Sequence, residues 1–321
     1  MTDIAVAVEG LGKMYGDRPA VLDLDLTVPG GEVFGFLGPN GAGKTTTIGM
    51  LCTLVRPTAG RAVVSGYDVV THPAEVRRRI GLVFQESSLD GDLTAAENLR
   101  FQAALFGTAR RRIGATVGAM LDLVGLAERA DSPVRTFSGG MRRRLEIARG
   151  LLHTPRVLFL DEPTTGLDPQ TRTAIWAHLH ELRRRQGVTV FLTTHHLEEA
   201  ANCDSIAIVD RGELVARGTP DELRAVVGSD LLQLRTADDA AAAAALRARF
   251  GLTAETGPDG LRVRVTDGSS LLPRLCAELA VPISAATITP PTLDDVFLHY
   301  TGRTMRDGPS PAPATALRVG R

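Results

Sequence analysis

Nine consecutive residues, Gly38, Pro39, Asn40, Gly41, Ala42, Gly43, Lys44, Thr45 and Thr46, follow the apolar run VFGFL and precede a helical pattern. The segment fits G-x-x-x-x-G-K-[ST] in the strand–loop–helix context that the motif requires. Its glycines let the backbone wrap closely around an anion, with successive amide hydrogens pointing inward. The helix N-terminus adds partial positive charge. Lys44 is expected to contact the β- and γ-phosphates of a nucleotide, and Thr45 to ligate Mg2+.

Asp161 and Glu162 end a second apolar run, VLFL. Parallel α/β sheets bind ligands at the C-terminal ends of their strands, so both carboxylates are expected beside the phosphate loop. Adjacent side chains alternate in direction and need different roles. Asp161 supports the metal ion, directly or through water, and Glu162 polarises an attacking water. Between the two motifs, Ser138-Gly139-Gly140 opens a helical stretch. A serine hydroxyl and glycine amides at a helix N-terminus suit an anion; taken alone, the segment reads as an N-cap.

The elements that must position these groups follow from the pattern. VFGFL, GLVF, VLFL, VTVFLTT and SIAIVD are short and apolar, as parallel strands covered on both faces are. Helical segments alternate with them, which predicts an α/β core over residues 1–222. From about 93 to 153 the pattern turns helical and predicts a subdomain inserted into that core. Residues 223–303 predict a small α+β domain. If Gly251–Thr256 is a strand, its order is βαββαβ and ferredoxin-like; otherwise it has a looser topology. Its last helix begins after Thr292, whose spacing to Asp295 fits a capping box. The stretch 304–321, rich in Pro, Ala and Gly, is expected to be disordered.

Composition narrows the classes. The net charge of −1 gives no general reason to expect nucleic acid. The arginine runs Arg77–Arg79, Arg142–Arg144 and Arg183–Arg185 lie in helical segments and are expected to be solvated faces. Cys52, Cys203 and Cys276 have no metal-like spacing and suggest reduced thiols in a cytosolic protein. No signal peptide is recognisable, and no run approaches the ~20 apolar residues of a membrane span. Work at a membrane would require a partner that supplies the spanning helices.

The order phosphate loop, SGGM, then VLFLDEPTTGLDP resembles the nucleotide-binding domain of ATP-binding cassette (ABC) proteins over about residues 4–222. The resemblance implies that Ser138, Gly139 and Gly140 are the signature motif, which binds the γ-phosphate of ATP held by a second, facing domain. It implies that Tyr15 stacks on adenine and that Gln85 reaches Mg2+ and water and links to the transmembrane partner. Asp168 then communicates across the dimer, and His195, rather than the adjacent His196, contacts the γ-phosphate. Glu162, His195, Gln85 and Lys44 form the implied catalytic set, and Thr45, Gln85 and Asp161 the metal set. Met141 departs from the family pattern, where Gln is common.

FSGGMRRRLEIARGL, GTPDELR and PTLDDVFLHYTGR further resemble ATP-binding subunits of the daunorubicin/doxorubicin-resistance type. That implies a dimer, a separate type-2 exporter permease that binds the cargo, and a peripheral place on the cytoplasmic face of the cell membrane. A soluble ABC ATPase of DNA repair or the ribosome is disfavoured by the single cassette and short helical insert. SGGM and the switch histidine disfavour a P-loop kinase. An importer subunit is disfavoured by the C-terminal ending.

Overall fold

The computed structural model describes residues 3–228, 230–257 and 260–305. The stretch expected to be disordered falls almost wholly outside them. The chain divides into two compact units, the first running to Thr219 and the second spanning Pro220–Thr304.

The first unit opens with two long strands, β1 (Ile4–Tyr15) and β2 (Arg18–Pro29), then the central strand β3 (Val33–Leu37) and helix α1 (Lys44–Leu51). β4 (Ala59–Val64), β5 (Tyr67–Asp68), α2 (Pro73–Arg79) and β6 (Ile80–Val83) follow. Three helices come next, α3 (Ala95–Leu105), α4 (Arg110–Leu123) and α5 (Gly139–Leu151). The unit closes with β7 (Val157–Asp161), α6 (Pro169–Gln186), β8 (Thr189–Thr194), α7 (Leu197–Ala200), β9 (Ser205–Asp210) and β10 (Glu213–Gly218).

Six strands form the main sheet in the order β10-β9-β3-β8-β7-β6, with β10 antiparallel at one edge. Every residue of β3, β7 and β8 is buried, which explains the apolar runs at their centres; the buried polar residues Asp161, Thr193 and Thr194 stand at the C-terminal ends of β7 and β8. Phe34, Phe36 and Phe159 surround Phe191 with ring centroids 5.1, 5.7 and 5.3 Å away. A second sheet, β2-β1-β4-β5, is antiparallel throughout. The sequence pattern did not resolve it, because bulges break the alternation of β1 in several places.

The helical insert has its own core, with Leu99, Leu121, Leu126, Val134, Phe137 and Leu145 among its buried residues. Met141 packs against it half-buried, which accounts for a thioether at that position.

The second unit contains α8 (Pro220–Val227), β11 (Asp230–Thr236), α9 (Asp239–Phe250), β12 (Ala254–Gly257), β13 (Gly260–Val265), α10 (Gly268–Glu278), β14 (Ile283–Thr289) and α11 (Leu293–Thr301). Its sheet order, β12-β13-β11-β14, is antiparallel and ferredoxin-like. The strand sought at Gly251–Thr256 is present, shifted to Ala254–Gly257. Helix α8 packs on α11, so the division falls at Thr219 rather than after Glu222. Thr292 and Asp295 form the expected capping box.

Candidate nucleotide site

β3 delivers the loop Gly38–Gly43 to the C-terminal edge of the main sheet, and α1 leaves from it. Gly43 has φ 96°, and a Cβ there would lie 2.4 Å from the Ala20 carbonyl oxygen. That position therefore excludes any side chain. Lys44 is buried, and its Nζ donates to the carbonyls of Gly38 at 2.8 Å and Pro39 at 3.1 Å.

β7 and β8 end beside this loop. Glu162, just past β7, has φ 45°, a left-handed conformation that turns the chain sharply after Asp161. The Glu162 amide donates to Thr193 Oγ1 at 3.0 Å, and that hydroxyl donates to Asp161 Oδ1 at 2.5 Å. Thr193 thus fixes both members of the acidic pair. Thr45 Oγ1 lies 3.5 Å from Asp161 Oδ1, a long contact from the first turn of α1.

The Glu162 carboxylate is the electrostatic centre. Its Oε1 is 3.4 Å from Lys44 Nζ and 3.1 Å from His195 Nδ1, while Oε2 accepts from Thr165 Oγ1 at 3.2 Å. The His195 approach is a close polar contact rather than a well-directed hydrogen bond, and it leaves the buried Nδ1 without a hydrogen-bond partner among the described residues. Burial raises the Glu162 carboxyl, but His195, Lys44 and Thr165 together outweigh it and bring it down to about 2. Burial pulls the Lys44 ammonium below its usual range, and Glu162 partly offsets this.

A cleft of about 610 Å3 gathers Asn40, Gly41, Gly43, Lys44, Thr45, Thr46, Gln85, Glu162, Thr165 and His195 along its lining, together with Ala20. Its size suits a nucleotide phosphate chain and more. The hydroxyl of Thr45, the carboxylate of Asp161 and the amide of Gln85 supply oxygens only, a donor set that fits a hard divalent cation. Gly38, Pro39 and Ala42 are buried and do not line the cleft. His195 lines the cleft and His196 does not; their rings lie 4.0 Å apart.

Several predicted residues stand elsewhere. Tyr15 is exposed at the end of β1, with Lys13 Nζ 5.0 Å from its ring centroid. Asp168 caps α6, accepting from the Thr171 amide at 2.9 Å and from Thr171 Oγ1 at 2.6 Å. Ser138 caps α5 by accepting from the Met141 amide at 3.2 Å, and both Ser138 and Gly139 are exposed. Gly140 is buried: a Cβ there would come within 2.2 Å of Thr171 Cγ2. Ser138, Gly139 and Gly140 do not line the cleft.

One expectation fails. Of the arginine runs read as solvated faces, Arg143 is only 6% exposed. Its guanidinium turns inward to carbonyls and to Glu146, which compensates the buried charge. Thr193, Thr165 and Arg143 are the residues of this region that sequence reading missed. The adjacency of Thr193 to Thr194-His195 at a strand end was the one available signal.

Comparison with known proteins places this geometry. Residues 21–165 match the family model described as ABC transporter, and residues 218–301 match the C-terminal domain of DrrA1-3-like ATP-binding proteins. The chain is 46% identical to the daunorubicin resistance ATP-binding protein DrrA3 of Streptomyces coeruleorubidus, covering 94% of this chain and 97% of the relative. This chain belongs to the ABC transporter ATP-binding family. It is 41% identical to the Nod factor export ATP-binding protein I of Ralstonia nicotianae, over 94% of this chain and 95% of that protein. Among solved structures, cbiO1 of Clostridium perfringens, part of the ABC transporter complex cbiONQ, matches with a TM-score of 0.66. It is 29% identical, covering 70% of this chain and 93% of its own.

As a member of the ABC family, the chain binds and hydrolyses ATP as the ATP-binding subunit of an exporter. Proteins of this family dimerise and work with a transmembrane permease. Among the described residues, no helix is long and apolar enough to cross a membrane.

Proposed function

We propose that two copies of this chain sandwich two ATP molecules head to tail, each between Lys44 of one copy and Ser138 of the other. One observation carries the reading: the cleft holds Lys44, Glu162 and His195, whereas Ser138 and Gly139 stand exposed at a helix N-terminus outside it. Two halves of an anion site on separate surfaces of one chain suit a facing copy.

Within each site, Lys44 and the loop amides hold the β- and γ-phosphates. Thr45, Asp161 and Gln85 hold Mg2+, which neutralises phosphate charge when bound. Glu162 orients the attacking water and accepts its proton, His195 holds Glu162 and the γ-phosphate in register, and Tyr15 offers its exposed ring to adenine. Asp168 reports closure between copies. The Gln85 segment and the insert pass that motion to a separate type-2 exporter permease at the cytoplasmic face of the cell membrane. A drug-like or lipidic cargo, bound by the permease, is consistent with relatives named for daunorubicin resistance and for Nod factor export. The second unit, which carries no nucleotide motif, pairs with its twin and stabilises the dimer.

Light scattering of the purified Glu162→Gln variant tests the sandwich. ATP is expected to drive it from monomer to dimer, and Ser138→Arg in that background to abolish the shift. A dimer that persists with Ser138→Arg contradicts the shared site.

A further inference from the structure

Helix α5 starts at the exposed Ser138 and then runs beneath the site. Three of its side chains, one turn apart on a single face, reach the segment that carries Gln85. Arg143 Nη1 donates to the Phe84 carbonyl at 2.5 Å, immediately before Gln85. Glu146 Oε1 accepts from the Ser88 amide at 3.2 Å. Arg149 Nη1 donates to the Ser88 carbonyl at 2.7 Å, and Nη2 donates to the Ser88 hydroxyl. The segment is therefore clasped on both sides of Gln85, although Gln85 itself is exposed in the cleft.

The same guanidinium reaches the acidic pair. Arg143 Nε donates to the Pro163 carbonyl at 2.7 Å, and Nη2 donates to the Asp161 carbonyl at 3.1 Å. These carbonyls flank Glu162 on either side. Glu146 Oε2 accepts from Arg143 Nη1 at 3.0 Å and balances its charge, and both side chains are buried. A planar fork with donors fixed in direction ties two backbone segments to one helix at once more rigidly than the freely rotating donors of an ammonium do.

We infer that Arg143, with Glu146 and Arg149, is a positioning cluster that makes the Gln85 segment, the Asp161–Glu162 turn and the Ser138 helix move as one body. Arg143 touches no reacting atom. It acts through the carbonyls on which Gln85 and Glu162 hang. Whatever engages Ser138 at the start of α5 is thereby coupled mechanically to the placement of Glu162 in the same chain. This rests on the roles given above to Gln85 and Glu162.

The test is steady-state ATPase kinetics of the full chain with Arg143→Met, Arg143→Lys and Arg149→Met, with thermal unfolding in parallel. Arg143→Met is expected to lower kcat on the order of 10- to 100-fold, since small displacements of positioned groups have effects of that size. KM for ATP is expected to stay within about threefold, because Lys44 and the loop are untouched. Arg143→Lys is expected to recover part of the loss, and Arg149→Met to lower kcat by a smaller factor at unchanged Tm. Removing Arg143 leaves Glu146 buried without its counter-charge, so that variant can lose stability. Arg149, half-buried at the outer end of the clasp, then decides the matter. Unchanged kcat in Arg149→Met and in any folded Arg143 variant overturns the proposal, as do losses that track only the folded fraction. If Glu162→Gln retains normal turnover, the reading of Glu162 fails instead.

Discussion

Glu162 Oε1 lies 3.4 Å from Lys44 Nζ, so the group proposed to activate water and the group proposed to hold phosphate form one ion pair, with Lys44 buried and Glu162 partly so. Any ligand that draws Lys44 toward phosphate changes the field on Glu162, since at this separation and burial Coulomb coupling is strong. On the proposed roles, phosphate binding and water activation are therefore electrostatically linked within one chain.

Glu162→Gln keeps the shape of the side chain and removes its basicity. ATP affinity, measured with a fluorescent analogue, is expected to change little, while turnover falls on the order of 10²–10⁴-fold. Near-normal turnover would remove Glu162 from the role of general base.

The depressed Glu162 carboxyl predicts a pH signature in stability. Its folded value is about 2 against an ordinary 4.5, so its contribution is fully present above about pH 4.5 and fades as pH falls toward 2. Urea unfolding is expected to find Glu162→Gln less stable at neutral pH by on the order of 2 kcal/mol, with the gap narrowing below pH 4.5. A gap independent of pH would mean that the carboxylate is not held by Lys44 and His195.

Gly140→Ala places a methyl group against Thr171, which is pinned by two hydrogen bonds to Asp168. A loss of roughly 1–3 kcal/mol is expected, read as a fall in Tm. Thr171→Ser removes the clashing Cγ2 and keeps the hydroxyl, so the double variant is expected to regain most of the loss. No rescue would place the cause elsewhere.

In the second unit, Thr292→Ala removes the hydroxyl half of the α11 capping box, which accepts from the Asp295 amide, and keeps the backbone half, the residue-292 amide donating to Asp295 Oδ2. A destabilisation of about 1 kcal/mol is expected for that unit, with ATP turnover of the first unit unchanged. Thermal unfolding and ATPase assays of the same sample separate the two.

The central strands and the phosphate loop were legible in the sequence because buried parallel strands leave continuous apolar runs and Gly38–Thr45 carries its own spacing. The β1–β2–β4–β5 sheet was not, since its bulges destroy a period-2 pattern. Arg143 was misread because a triple-arginine run has the same letters whether its guanidinium faces water or backbone carbonyls. Only the approach of β6 and β7 to α5 turns one of them inward. Thr193 escaped for a similar reason: its two bonds to the Asp161–Glu162 turn join strands that are neighbours in space and far apart in sequence.

The most direct test of the shared site is complementation between two inactive variants. On the proposed sandwich, neither Lys44→Ala nor Ser138→Arg can assemble an intact site from copies of itself alone. A mixed dimer pairs Lys44 of one chain with Ser138 of the other and so rebuilds one intact site. Mixing in equal amounts is expected to restore ATP turnover to on the order of a quarter to a half of wild type, since each mixed dimer has one of its two sites whole and no other pairing has any. A mixture that stays as inactive as its parents, although mixed dimers form, would contradict the account.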